Sequence, residues 1–135
     1  MNKDTRFSWM TILDIALPLL YMAFIFWMSS RPMPNVFKIS VNHIDKVYHL
    51  IGYSVLGFLC ARMGFRLTGS TFFACWLGLV LTSLYGVSDE IHQLHVPGRF
   101  GSWDDIVADI GGAFVGTFSW RWWHKKNESS PEKQK

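Results

Sequence analysis

Lys, Arg, Asp and Glu are absent from residues 15–30, 47–61, 67–88 and 110–120, and aliphatic, aromatic and small side chains fill these gaps. With its flanks, each gap approaches the ~20 apolar residues that a helix needs to cross ~30 Å of hydrocarbon. The pattern predicts four transmembrane helices, over residues 9–28, 44–63, 71–90 and 103–123, and therefore an all-α integral membrane bundle. Trp9 and Trp27 would anchor the two ends of the first helix at the membrane interfaces, and Trp120, Trp122 and Trp123 the end of the last. The first segment is expected to be retained, because Trp27, Met28, Ser29 and Ser30 stand where a signal-peptide cleavage site would want small residues. Residues 1–124 form the expected membrane domain, and residues 125–135, with no apolar side chain to bury, are expected to be a disordered basic tail.

A chain of 135 residues is one domain's worth, which excludes a large multidomain enzyme. Half of it is hydrophobic and only 17% charged, where soluble domains average roughly 25%, so disorder is excluded for most of its length. Cys60 and Cys75 fall inside apolar segments with no Cys-x-x-Cys spacing, and thus read as small apolar side chains. The basic residues set the orientation. Nine of the 13 Lys and Arg (Lys3, Arg6, Arg62, Arg66, Arg121, Lys125, Lys126, Lys133, Lys135) lie on the side of the termini, against Arg31, Lys38, Lys46 and Arg99 on the other. By the positive-inside tendency the protein is expected as a multi-pass inner (cytoplasmic) membrane protein with both termini cytoplasmic. Attraction of the basic tail to anionic head groups accounts for the net charge of +3 without a nucleic-acid partner.

The polar residues inside the predicted helices gather at the opposite, outer end. Asp45, His49 and Tyr53 recur at i, i+4 and i+8 and share one helix face; Ser83, Gly86, Glu90 and Gln93 make a second stripe, and Asp105, Asp109, Gly112 and Gly116 a third. Gly112-x-x-x-Gly116 would let a neighbouring helix approach closely, either within the chain or in a homodimer. The loop carrying Pro97-Gly98-Arg99 turns sharply between the last two helices, and Ser102 is placed to cap the fourth. The candidate constellation is Asp45, His49, Tyr53, Glu90, Gln93, Arg99, Asp105 and Asp109. Asp14 stands apart near the cytoplasmic end of the first helix, where a pair with Arg6 or snorkelling is expected.

In order, Asp45-Lys46-x-x-His49-x-x-x-Tyr53, Asp89-Glu90-Ile91-His92-Gln93, Val96-Pro97-Gly98-Arg99 and Asp105-x-x-x-Asp109-x-x-Gly112-x-x-x-Gly116, preceded by Ser29-Ser30-x-Pro32, resemble the VanZ-like family, named for a protein linked to teicoplanin resistance. The resemblance covers roughly residues 20–117. It implies a small bacterial or archaeal membrane protein of about four helices, some members of which affect glycopeptide susceptibility. Asp109 stands where the family pattern often has Asn, which keeps an oxygen acceptor and adds a charge.

The residues leave several chemistries open. In one, the outward-facing pocket binds a membrane lipid or a lipid-linked or cell-wall precursor, with Tyr53, Gln93, Arg99 and Asp109 as ligand-binding residues. In another, an intramembrane enzyme uses His49 as acid or base, oriented by Asp45, with Glu90 or Asp105 as a second acid/base and Arg99 on an anionic group. No Ser or Cys beside His49 supplies a nucleophile. A metal set of His49, Glu90 and Asp105 lacks a spacing signature such as His-Glu-x-x-His, so metal and cofactor are left unassigned. The bland alternative is a polar network that only fixes packing.

Overall fold

A computed structural model describes residues 9–32 and 44–129. The described chain is four helices: α1 (Trp9–Ser29), α2 (Ile44–Thr68), α3 (Thr71–Gln93) and α4 (Trp103–Glu128). α1, α2 and α3 are each long and apolar enough to cross a membrane. α4 is as long, 26 residues, but carries Asp104, Asp105 and Asp109 toward its start and Arg121, Lys125 and Lys126 toward its end.

The helices alternate in direction. Gly64 of α2 meets Ala74 and Leu77 of α3, and Gly86 of α3 meets Asp109 of α4, so both neighbouring pairs run antiparallel. α2 and α4 consequently run parallel, with Gly112 against Leu50 and Gly116 against Ser54. Contact there is backbone to backbone: a Cβ on Gly112 would sit 2.5 Å from the Leu50 carbonyl oxygen, and one on Gly116 would collide with that of Ser54. Both glycines are therefore used inside the chain, against α2. Such small-residue seams give membrane helices the dispersion contact that the hydrophobic effect cannot supply in lipid.

Burial differs from that of a water-soluble bundle: beside an apolar core of Leu56, Cys60, Ala61, Ala74, Ala113 and Trp120, many polar side chains are buried and many large apolar ones exposed. Asp14, Ser29, Asp89, Glu90, Gln93, Asp105 and Asp109 are buried, whereas Leu13, Leu20, Phe24, Trp27, Phe72 and Phe114 face outward. Hydrocarbon solvates the second group, while the first must find partners within the protein. α1 shows this most plainly, since Asp14, Pro18 and Ser29 are its buried residues.

α3 runs three residues past its predicted end, to Gln93, and two helices outrun their apolar stretches by five residues. α2 continues past Met63 to Thr68 and α4 past Trp123 to Glu128, because a helix needs no apolar face once it reaches the head-group region, and Arg66, Lys125 and Lys126 suit a helix C-terminus. Lys125–Glu128, expected to begin the tail, are the last turn of α4; residues 130–135 lie outside the described residues, as do Lys3, Arg6 and Lys38. Asp14 also departs from expectation. Arg62 Nε and Arg66 Nε donate to its two carboxylate oxygens at 2.6 and 2.7 Å, because the antiparallel α1–α2 packing brings the end of α2 beside the start of α1.

Candidate functional site

The alternation brings the end of α1, the start of α2, the end of α3 and the start of α4 to one end of the bundle. Ser102 caps α4 by accepting from the Asp104 N–H at 3.2 Å. Its own N–H donates to Glu90 Oε2 at 2.9 Å, tying the start of α4 to α3. Between them, Val96-Pro97-Gly98-Arg99 forms a turn closed by Arg99 N–H to the Val96 carbonyl at 3.1 Å, with Gly98 at φ +82°. Pro at the second position and a positive φ at the third define a type II turn, which favours Gly there. Both the cap and the turn match the sequence expectation.

At the centre, His49 Nδ1 lies 2.9 Å from Asp109 Oδ1 and 3.9 Å from Glu90 Oε1. Beside an ionised carboxylate that nitrogen carries the proton and donates to Asp109. Asp45, expected to orient the ring from one turn earlier, comes within 4.8 Å but takes no hydrogen bond from it. Asp109 wins because Gly112, one turn further along α4, lets that helix press its start against α2. Asp105 turns instead to Lys46 Nζ at 3.3 Å, and Asp104 binds the same ammonium at 3.4 Å. Among the described residues, two sets of His and carboxylate donors are close enough to share a cation: His49-Glu90-Asp109 and Asp45-His49-Asp105. Asp109 thus replaces Asp105 beside Glu90 in the set expected from sequence, since the ammonium of Lys46 holds Asp105.

A cavity of about 390 Å³ lies between α1 and α2, closed by α3 and the turn. Phe24, Ile25, Met28 and Tyr48 give it an apolar side, and Ser29, Asp45, His49, Tyr53, Asp89, Gln93 and Arg99 a polar one. The His49 and Tyr53 rings lie nearly parallel along its wall, with centroids 6.2 Å apart. Arg99 does not reach Glu90, Asp105 or Asp109. Its guanidinium donates to the carbonyls of Met28 and Arg31, at 3.0 and 3.2 Å, and so caps the end of α1 at the cavity rim. The Met28 carbonyl also accepts from the Arg31 N–H at 3.2 Å, so the guanidinium is a second donor there and ties the turn to the chain just past α1 through the Arg31 carbonyl.

Gln93 turns toward Asp89, donating at 3.0 Å, and Ser29 donates to the same carboxylate oxygen at 2.8 Å. Asp89 and Ser29 are the residues that the sequence constellation missed. Their signal was the Asp89-Glu90 doublet and the Ser29-Ser30 pair: consecutive acids on a helix point ~100° apart, so if Glu90 faces α4, Asp89 faces another neighbour. α1 is that neighbour, locked further by Ser30 Oγ 3.0 Å from His92 Nε2 and by Tyr85 donating to the Met22 carbonyl at 2.6 Å. His95 is exposed, with Nδ1 on the Ile91 carbonyl at 2.9 Å. His124 stacks on Trp120, and His43 lies outside the described residues.

Lipid-facing apolar side chains around inward-facing carboxylates are the arrangement of a small multi-pass membrane protein. Within that class the assignment is specific: the family described as VanZ/LLP1 matches residues 8–124, nearly the whole chain, and the chain belongs to that family. No curated protein and no solved structure matches it.

Proposed function

We propose that this protein binds the head group of a lipid or lipid-linked envelope intermediate in the cavity between α1 and α2, as a binding or accessory component. The observation that carries the reading is the two-sided lining. Phe24, Ile25, Met28 and Tyr48 suit an acyl or prenyl chain, and Ser29, Tyr53, Asp89 and Gln93 offer hydrogen bonds at the other side. A volume of about 390 Å³ suits a head group with its first chain carbons better than a whole lipid, so the tail would stay in the bilayer. By the distribution of basic residues, the cavity opens toward the outer leaflet, where envelope intermediates are displayed. Family membership supports a link to glycopeptide susceptibility, and sequestering such an intermediate would change what a drug such as teicoplanin meets.

The test uses Gly52, which lines the cavity and whose Cβ would meet only the Tyr21 hydroxyl, at 3.9 Å. Gly52→Leu adds an isobutyl group to the cavity and removes none of its polar side chains. Purified gently from bacterial membranes, the parent should carry a co-purifying polar lipid by native mass spectrometry, and Gly52→Leu should lose it at an unchanged Tm. Equal lipid retention by both would defeat the proposal. The His49–Asp109 hydrogen bond favours a second reading, in which the imidazole transfers a proton on the bound lipid. His49→Gln would then keep lipid retention and lose the cellular phenotype, whereas an unaltered phenotype would exclude proton transfer by His49.

A further inference from the structure

Behind the cavity wall, Glu90 and Asp109 are 3% and 0% exposed, and each has one buried carboxylate oxygen, Oε1 and Oδ2, without a hydrogen-bond partner. Their remaining oxygens are held, Glu90 Oε2 by the Ser102 N–H and Asp109 Oδ1 by His49. Among the described residues His49 is the one cationic partner of both carboxylates, since Lys46 is engaged with Asp104 and Asp105. Two buried carboxylates facing one imidazole are short of positive charge. Uncompensated charge in such a place is costly, and a bound cation is one of the few ways to relieve it.

We propose that His49, Glu90 and Asp109 bind one divalent transition-metal ion, of the zinc or manganese class. One donor from each of α2, α3 and α4 already lies within 4.8 Å of the other two. Around an ion about 2.1 Å from each donor, ligands stand ~3.0–3.4 Å apart. The distances from Nδ1, 2.9 Å to Asp109 and 3.9 Å to Glu90, bracket that spacing. On binding, the Nδ1 proton leaves to solvent and the ion takes its place, so that a charge of +2 meets two carboxylates. An imidazole ligand disfavours Mg²⁺ and Ca²⁺, which take oxygen donors. Asp45-His49-Asp105 is the weaker set, because Lys46 already neutralises Asp105. Three protein ligands leave a coordination position for water or a bound group.

Metal binding is separable from lipid binding, because the ion itself is read out. Full-length protein in detergent is stripped with chelator and titrated with Co²⁺. The expected result is saturation at one Co²⁺ per chain, with visible ligand-field absorption that Zn²⁺ displaces. His49→Gln and Glu90→Gln should each weaken binding at least tenfold, and His95→Gln, at an exposed imidazole, should titrate like the parent. Saturating Zn²⁺ should raise the Tm of the parent and leave that of His49→Gln unmoved. Should Glu90→Gln fail to fold, the parent titration and His49→Gln still decide. No saturable absorption in the parent, or parental affinity in His49→Gln, would overturn the proposal.

Discussion

Asp14 is buried beneath two arginines whose side chains are 40% and 41% exposed, and this asymmetry decides what each partner is worth. Without Asp14, Arg62 and Arg66 extend to the head-group region and regain solvation, as long basic side chains do. Without both arginines, Asp14 stays in place as a buried unpaired charge. Asp14→Asn should therefore cost about 1 kcal/mol or less, and the double variant Arg62→Gln/Arg66→Gln about 3–5 kcal/mol. Thermal or denaturant unfolding in detergent checks the order, and equal costs would contradict the asymmetry. The same logic explains what was legible at this scale. Helical spacing places Asp45, His49 and Tyr53 on one face, because that depends on one helix alone. That Asp109 holds His49, that Arg99 turns to the Met28 and Arg31 carbonyls, and that Asp14 meets Arg62 and Arg66 each depend on how two helices are rotated toward one another. A local pattern does not encode that rotation.

The α2–α4 seam is where an element's position rests on single hydrogen atoms. At Gly116 an added methyl group would collide with the Ser54 carbonyl, a backbone atom that cannot step aside unless the helices part. At Gly111 the same methyl would lie 3.3 Å from Leu50 Cδ1, the far end of a side chain that can rotate. Gly116→Ala should thus destabilise by about 1–3 kcal/mol, as overpacking does, while Gly111→Ala should stay within about 0.5 kcal/mol or gain slightly from helix propensity. Melting both variants beside the parent checks this, and a stable Gly116→Ala would mean a looser seam. Small-xxx-small spacing revealed that α4 has such a face, and charge-free length revealed all four helices. The extensions of α2 to Thr68 and α4 to Glu128 were hidden because hydropathy ends where the hydrocarbon ends, and a helix does not.

For the whole molecule, the up-down-up-down course puts the start of α1 and the end of α4 on the side of Arg62 and Arg66, and among the described residues Arg121, Lys125 and Lys126 of α4 join them there. A fluorescent reporter that matures only in the cytoplasm should accordingly give signal when fused to the C-terminus, and a periplasm-active reporter should stay silent. The opposite result would turn the cavity inward and detach it from envelope intermediates.

The parallel partnership of α2 and α4 also governs how the protein is made. A ribosome adding roughly 5–20 residues per second completes α4 several seconds after α2. Throughout that interval the seam on α2 has nothing to close against, and neither His49 nor Glu90 has met Asp109. α3 inserted before α4 would carry Glu90 into lipid without the Ser102 N–H that holds it, an expensive insertion. The cheaper route holds α3 at the insertion machinery until α4 emerges and releases the two as a hairpin. The polar centre is then the final part of the nascent chain to assemble, and a chain stalled before α4 would present the Glu90 carboxylate to membrane proteases without its Ser102 partner.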